Sequence, residues 1–425
     1  MSVNLISDTC KQVDSIIRYM TKKNPKTVWM FEVQKAYWED VRDAHKNGKK
    51  VIFFGGPAPV ELIYAFDAVP FFLDMVPTRI SSNVEVTSVY VDAAEKYVPT
   101  TVCGLDKVEL GVALCGDYGL KPDGFVYCSV PCDSARVCHP AIDKILGVPS
   151  FRLDTPFRRD DRGYKYLAKQ YEDFIVFMEE VTGNKMNWDR FAEVAEISNQ
   201  SNELMYEIAK LRMLKPCPLP GRMLILNTMM GCMSGHPAML EFMQNQYNMG
   251  KAMADRGLGA LKEEKYRVSW LQNLVWANAG LMDWMEKEFG AILVMDGFGY
   301  QKGVLFNDIH NKEDMLVTMA KKAMTAPMIH GASGPAEHHV KIIENIMENY
   351  DVDVSMFIGH VGCKHTFAGA KMVTDMIQDK FGIPTLTVEL DAIDLRYKSI
   401  DEVKVSITEY MESVVGAERL SKAKA

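Results

Sequence analysis

The stretch GHVGCKHTFAGAK (359–371) sets Cys363 between an apolar run, VSMFIG (354–359), and a run with helical spacing, KMVTDMIQDKFG (371–382). A thiol at a strand-to-helix junction is a candidate nucleophile or soft ligand, because the helix dipole and the free N–H groups of the first turn favour the thiolate. Cys132 has the same setting, after the apolar run GFVYCSV (124–130) and ahead of DSARVCHPAIDKI. Cys103 stands in PTTVCGLDKVELG, again just ahead of a helical pattern. In open parallel α/β sheets ligands bind beyond the carboxyl ends of the strands. Thiolates there can hold a soft metal or an iron–sulfur cluster. The spacing itself decides nothing. There is no CxxC, and the CxxxC of Cys128 and Cys132 is a weak signal. At each position the alternative is an inert small hydrophobe. That bland reading is the expectation for Cys10, Cys115, Cys128, Cys138, Cys217 and Cys232, and the residues alone leave it open for the other three.

Other chemistry-bearing residues cluster near these cysteines in sequence. His360 and His365 flank Cys363 and are candidate proton donors or hydrogen-bond donors to a carbonyl. Lys364 offers a charge for a phosphate or a cluster, against the alternative of a solvated lysine. Glu61 in PVELIY is a candidate site acid, or support for a helix N-terminus. Glu389, Asp391, Asp394 and Arg396 read as a structural, salt-bridged tail. Glu337, His338 and His339 are adjacent, so they diverge around a helix and make a poor metal site. Trp29, Trp38, Trp188 and Trp284 read as core or interface. The Met-rich stretch RMLILNTMMGCMSGHPAMLEFM, within 221–262, is a candidate acyl-pocket wall or an ordinary core.

The elements that must position these groups alternate. VIFFGG (51–56), PFFLDM (70–75), GFVYCSV and SFRLD (150–154) read as strands, with helical spacing between them at PVELIYAFDAV (59–69) and 131–147. Residues 160–214 are long amphipathic patterns that stop at KPCPLPG, where proline forbids further helix. From 265 the alternation returns with YRVSWL, AILVMDGF (291–298), VSMFIG and TLTVEL (385–390). Alternation of this kind predicts parallel α/β sheets. The expected organisation is a helical N-terminal segment (1–48), a first α/β unit (49–158) holding Cys103 and Cys132, a helical connecting segment (159–264), and a second α/β unit (265–425) holding Cys363.

Composition narrows the function classes. The chain has 425 residues, 48% apolar and 24% charged, enough for a sizeable core. A net charge of −8 with no basic run argues against a nucleic-acid partner. No segment is apolar enough for a membrane span, and the N-terminus lacks the pattern of a secretory signal. Nine cysteines, an odd count without an export signal, predict reduced thiols in a cytoplasmic protein. With 28 methionines the chain is also compatible with anaerobic life.

Several motifs together resemble the family that unites 2-hydroxyacyl-CoA dehydratases with benzoyl-CoA reductases, in its larger cluster-binding subunit. They are PVELIYAFDAVP (59–70), VCGLDKVELG (102–111), VPCDSAR (130–136), EEVTGNKMNWDRF (179–191), HVGCKHTFAGAKM (360–372) and GIPTLTVELDAIDLRYKSIDEVKVSITEYME (382–412). The resemblance spans about 50 to 415 and is most specific at the C-terminal stretch. It implies two Rossmann- or flavodoxin-like parallel-sheet units joined by a helical segment. It implies that Cys103, Cys132 and Cys363 bind three irons of a [4Fe–4S] cluster, with the fourth iron open. It further implies an acyl-CoA substrate, a homologous smaller cluster-binding subunit, and an ATP-dependent iron–sulfur activator that delivers one low-potential electron. The chain itself has no G-x-x-x-x-G-K-[ST] loop. In the dehydratase branch that electron starts a ketyl radical, which expels the 2-hydroxyl. In the reductase branch electrons are consumed by an aromatic ring. A non-catalytic electron-transfer or scaffold subunit is the third expectation. His360, His365 and Glu61 are the candidate catalytic residues beside the three cysteines.

Overall fold

The computed structural model describes residues 3–272, 274–299 and 303–416. Two four-stranded parallel sheets carry the fold. The first contains β1 (Val51–Gly55), β2 (Val69–Phe72), β3 (Gly124–Cys128) and β4 (Ser150–Leu153), in the order β2-β1-β3-β4. The second contains β5 (Tyr266–Trp270), β6 (Ala291–Asp296), β7 (Val354–His360) and β8 (Thr385–Leu390), in the order β6-β5-β7-β8. The two orders are the same pattern. In each sheet the chain leaves the first strand toward one side and later returns to the other. This creates a switch point between β1 and β3 and another between β5 and β7, where the loops part and leave a crevice.

The strands form where β-branched and aromatic residues run without a polar break. Such runs suit parallel strands covered by helices on both faces. β1, β3 and β7 are buried at every position. Phe53 of β1 pairs in register with Phe71 of β2 and Phe125 of β3. The edge strands β4 and β8 alternate exposed and buried positions, as a half-covered edge requires. The helical pattern at 59–69 yields only the helix Val60–Ala65, because Asp67 turns the chain into β2 with a positive φ of 54°. β2 is likewise shorter than its apolar run: after Leu73 N–H bonds Phe54 O, the chain enters the helix Met75–Ile80.

Helices complete two cores. The N-terminal helix Trp29–Asp43 buries Met30, Val33, Tyr37, Trp38 and Val41, one stripe at helical spacing, against the first sheet. Trp38 meets Phe71 at 5.6 Å between ring centroids. The long helices Asp161–Thr182 and Trp188–Met213 also join the first core, and they begin at Asp160 and Asn187, whose side chains accept the N–H of Gly163 and Arg190. The helix Lys312–Thr325 buries Met315, Met319 and Met324 in that same core, although its sequence follows β6. The second core gathers β5 to β8 with the helices Gly280–Phe289, Ala336–Asn349 and Ile400–Tyr410. Among the described residues, no helix is long and apolar enough to cross a membrane.

Candidate functional site

A cavity of about 420 Å³ lies where the carboxyl ends of both sheets face each other. Cys103, Cys132 and Cys363 all line it. Each sits at the N-cap of a helix: Cys103 before Gly104–Cys115, Cys132 before Asp133–Leu146, and Cys363 before the single turn Lys364–Phe367. Two glycines let the halves interlock around them. A Cβ on Gly362 would stand 2.4 Å from the Cα of Cys103, and one on Gly104 would stand 2.3 Å from Asp391 Oδ1. The loop after β7 therefore presses on the residue that carries the first thiol, and the loop after β8 presses on its neighbour.

The thiols are free, as are all nine in the chain. Burial, and then Asp106 and Asp391, push the Cys103 thiol well above its ordinary value. Burial and then Asp106 also raise Cys132. The helix N-termini were expected to favour thiolates, but here desolvation and the nearby carboxylates outweigh them. A cationic centre would reverse that balance, because metal coordination deprotonates a thiol outright. Thr366 Oγ1 lies 2.9 Å from Cys363 Sγ. His360 Nδ1 accepts the N–H of Ala392 at 3.2 Å, which leaves Nε2–H to donate to Cys103 Sγ at 3.0 Å. The remaining cysteines stay apart. Cys128 and Cys138 are buried, whereas Cys115, expected as filler, is exposed at the end of its helix.

Glu61 lines the same cavity, in the first turn of Val60–Ala65. Its Oε1 accepts from Lys322 Nζ at 2.5 Å, Ser234 Oγ at 2.8 Å and Ser198 Oγ at 3.0 Å. Burial alone would raise this carboxyl, but the Lys322 ammonium and the hydroxyl of Ser234 hold it below its usual range. Glu61 is therefore a carboxylate at neutral pH, not an acid. Its partners come from three distant stretches of the chain. The Met-rich stretch also reaches the cavity, through Met229, Cys232 and Met239.

His365 and Lys364 point elsewhere. Both face Asp133, His365 Nδ1 at 3.6 Å and Lys364 Nζ at 3.2 Å, and neither lines the cavity. Asp391 caps the turn after β8 by accepting the N–H of Ile393 and Asp394, and Asp394 pairs with Arg396. A further group, Asp106, Glu109 and His139, stands behind Cys103 and Cys132 with its ligand atoms all within 4.8 Å of one another. Burial lifts the Asp106 carboxyl to about 6 and raises Glu109 well above the ordinary range. One local signal of this group was present in the chain, two carboxylates three residues apart on one helix face just after Cys103.

A family model described as 2-hydroxyglutaryl-CoA dehydratase, D-component, matches residues 57–414. The chain belongs to that family. The match takes in the second sheet, strands β2 to β4 of the first and every residue placed on the cavity above. Among family relatives, lactoyl-CoA dehydratase subunit alpha of Anaerotignum propionicum is 23% identical over 414 residues, covering 89% of this chain and 94% of its own. A benzoyl-CoA reductase subunit of Thauera aromatica is 21% identical over 415 residues, covering 92% and 95%. The (R)-phenyllactyl-CoA dehydratase alpha subunit of Clostridium sporogenes is 32% identical over a shorter 129 residues, 28% of this chain and 31% of its own.

Proposed function

We propose that this chain is the cluster-binding component of a 2-hydroxyacyl-CoA dehydratase, and that Cys103, Cys132 and Cys363 hold a [4Fe–4S] cluster. The observation that supports this most is that three free thiols from three distant segments line one cavity. The donor set fits the group. Three thiols leave one iron without a protein ligand, and the raised thiols are stabilised as thiolates only beside a cationic centre. Held by Cys103, Cys132 and Cys363, such a cluster would supply one-electron chemistry at the substrate's thioester carbonyl, with the electron coming from an ATP-dependent activator, for loss of the 2-hydroxyl as water.

The chain's own residues bind, orient and move protons. The apolar walls, with Met229, Met239 and Met319, seat the acyl chain and exclude water. The Glu61 carboxylate, kept ionised by Lys322, accepts a proton from the acyl chain in the same cavity. His360 Nε2–H donates to the Cys103 sulfur, which tunes that ligand and fixes its direction. His365, 3.6 Å from Asp133 and more exposed, stands outside the cavity and takes no direct part in it. The working enzyme is cytoplasmic and pairs this chain with a homologous smaller subunit, in keeping with relatives named as alpha subunits.

Iron and acid-labile sulfide, measured per chain after oxygen-free purification, test the reading. The expected result is about four of each in wild type and loss in Cys363→Ala. Negligible iron in folded wild type sinks it. The loaded protein, with its partner and activator, is then offered a 2-hydroxyacyl-CoA and benzoyl-CoA in parallel. Loss of water from the first supports the dehydratase. Ring reduction of the second would instead assign the reductase reaction, which the full-length similarity to a benzoyl-CoA reductase subunit keeps as the second reading. An unaltered cluster spectrum with neither turnover would leave an electron-transfer role.

A further inference from the structure

Behind the two thiols of the first sheet lies a cluster of buried titratable side chains. Asp106 and Glu109 share one face of the helix Gly104–Cys115, and His139 reaches them from the helix Asp133–Leu146. His139 Nε2 stands 3.3 Å from Glu109 Oε2 and 3.8 Å from Asp106 Oδ1. Glu109 is fully buried, and Asp106 and His139 are nearly so. Lys107 is no counter-ion here, since its ammonium is engaged by Glu95 and by Thr100 O. Asp74 adds a third carboxyl, against Glu109.

Buried polar groups are satisfied by hydrogen bonds or by a bound ion. This group is not fully hydrogen-bonded. Glu109 Oε1, wholly buried, receives no hydrogen bond among the described residues, and His139 Nδ1 has no partner there either. The fold also makes room for the ring. A Cβ on Gly55, the last residue of β1, would stand 2.3 Å from the His139 ring, so no other residue leaves the imidazole where it is. Asp74, Asp106 and His139 line the cavity, which gives an ion a way in and water a place beside it.

We propose that Asp106, Glu109 and His139 bind one divalent first-row transition-metal ion, at a site separate from the three thiols. Two carboxylates and one imidazole form a donor set suited to zinc or manganese rather than to a thiolate-bound cluster. The ion joins the two helices whose N-caps are Cys103 and Cys132, so it fixes the spacing of those two thiols.

The test uses the full chain purified without oxygen, with zinc and manganese counted per chain and Mn²⁺ binding followed by the loss of its free-ion resonance signal. Wild type is expected to bind about one ion per chain and to gain melting temperature with added Mn²⁺. Cys363→Ala, which dismantles the thiol site, is expected to keep that binding. Glu109→Gln, able to hydrogen-bond Asp74 and so preserve packing, is expected to weaken it at least about tenfold. Asp106→Asn is the second variant, should Glu109→Gln unfold. Wild type that binds neither ion, or binding that persists unchanged in the folded variants, overturns the site and leaves a protonated carboxyl cluster.

Discussion

The two sheets share one strand order and one kind of switch point, yet a buried arginine in one and a buried carboxyl cluster beside the other are partnered in opposite ways. In the second, Arg267 is fully buried and spends its donors on Glu264, Tyr350 O, Leu214 O and Arg212 O. That arginine joins β5 to the end of the long helix 188–213 and to the turn before β7. In the first, Asp74, Asp106 and Glu109 crowd His139, and burial pushes all three carboxyls above their ordinary range. A charge tied to backbone carbonyls on several elements holds a fold together. The carboxyl cluster, by contrast, leaves Glu109 Oε1 and His139 Nδ1 without a partner among the described residues. Both halves line the cavity: Cys103, Cys132 and Glu61 from the first, Cys363 and His360 from the second.

The largest way to break this contrast is Arg267→Met. It strands the Glu264 carboxylate, 4% exposed, and leaves three carbonyls without a donor. The expected cost is about 3–5 kcal/mol, read from denaturant midpoints. A loss below about 1 kcal/mol would mean the arginine is not scaffold.

The next effect is pH-dependent and opposes two buried carboxyls. Asp296, at the end of β6, is raised to about 6 by burial, only softened by the N–H groups of Gly299 and Phe298. A folded value above the ordinary one means the folded state prefers the proton. Its stability is therefore complete below pH 3.8 and lost as pH rises through about 6. The loss amounts to about 3 kcal/mol. Asp296→Asn is expected to flatten that slope across the window. A slope unchanged in the variant would assign it to another group.

These two sites also mark what a sequence can tell. The eight strands were legible because parallel strands buried on both faces leave unbroken β-branched and aromatic runs, and VIFFG and VSMFIGH are such runs. Their ends were less so: Asp67 and Asp74 cut short a helix and a strand for reasons of turn geometry. Cys103, Cys132 and Cys363 were visible as thiols at strand-to-helix junctions, but only folding places residues 103 and 363 on one cavity. The adjoining glycines, Gly104 and Gly362, carried the signal of that close approach, and it is readable only once their partners are known. Glu61 was visible, while Lys322, 261 positions away, and the serines at 198 and 234 were not, since no local pattern joins residues so distant.

Lys322→Met sharpens the comparison by turning Glu61 into a second Asp296. Glu61 is lowered, so its stability is present above pH 4.5 and lost as pH falls through its folded value. Without the ammonium only burial and hydroxyls remain, and the sign reverses: stability now falls as pH rises. Because Lys322 is one-fifth exposed, the cost at neutral pH is expected at about 2 kcal/mol, below that of a fully buried pair. Denaturation measured on either side of pH 4.5 checks the reversal. An unreversed slope would show that Ser198 and Ser234 alone keep Glu61 ionised.

The smallest effect concerns the seam between the two sheets. Lys364, next to Cys363, reaches Asp133, next to Cys132, at 3.2 Å, with both side chains about half exposed. A pair so open to water is worth under about 1 kcal/mol and is screened by salt. The close approach of Gly362 to Cys103 and of Gly104 to Asp391 already holds the seam by shape. Lys364→Ala is therefore expected to leave stability and iron content nearly unchanged, with any deficit vanishing at high salt. A large, salt-resistant loss of iron would mean that this lysine neutralises charge at the thiol site itself, and that the second sheet contributes a cation as well as a ligand.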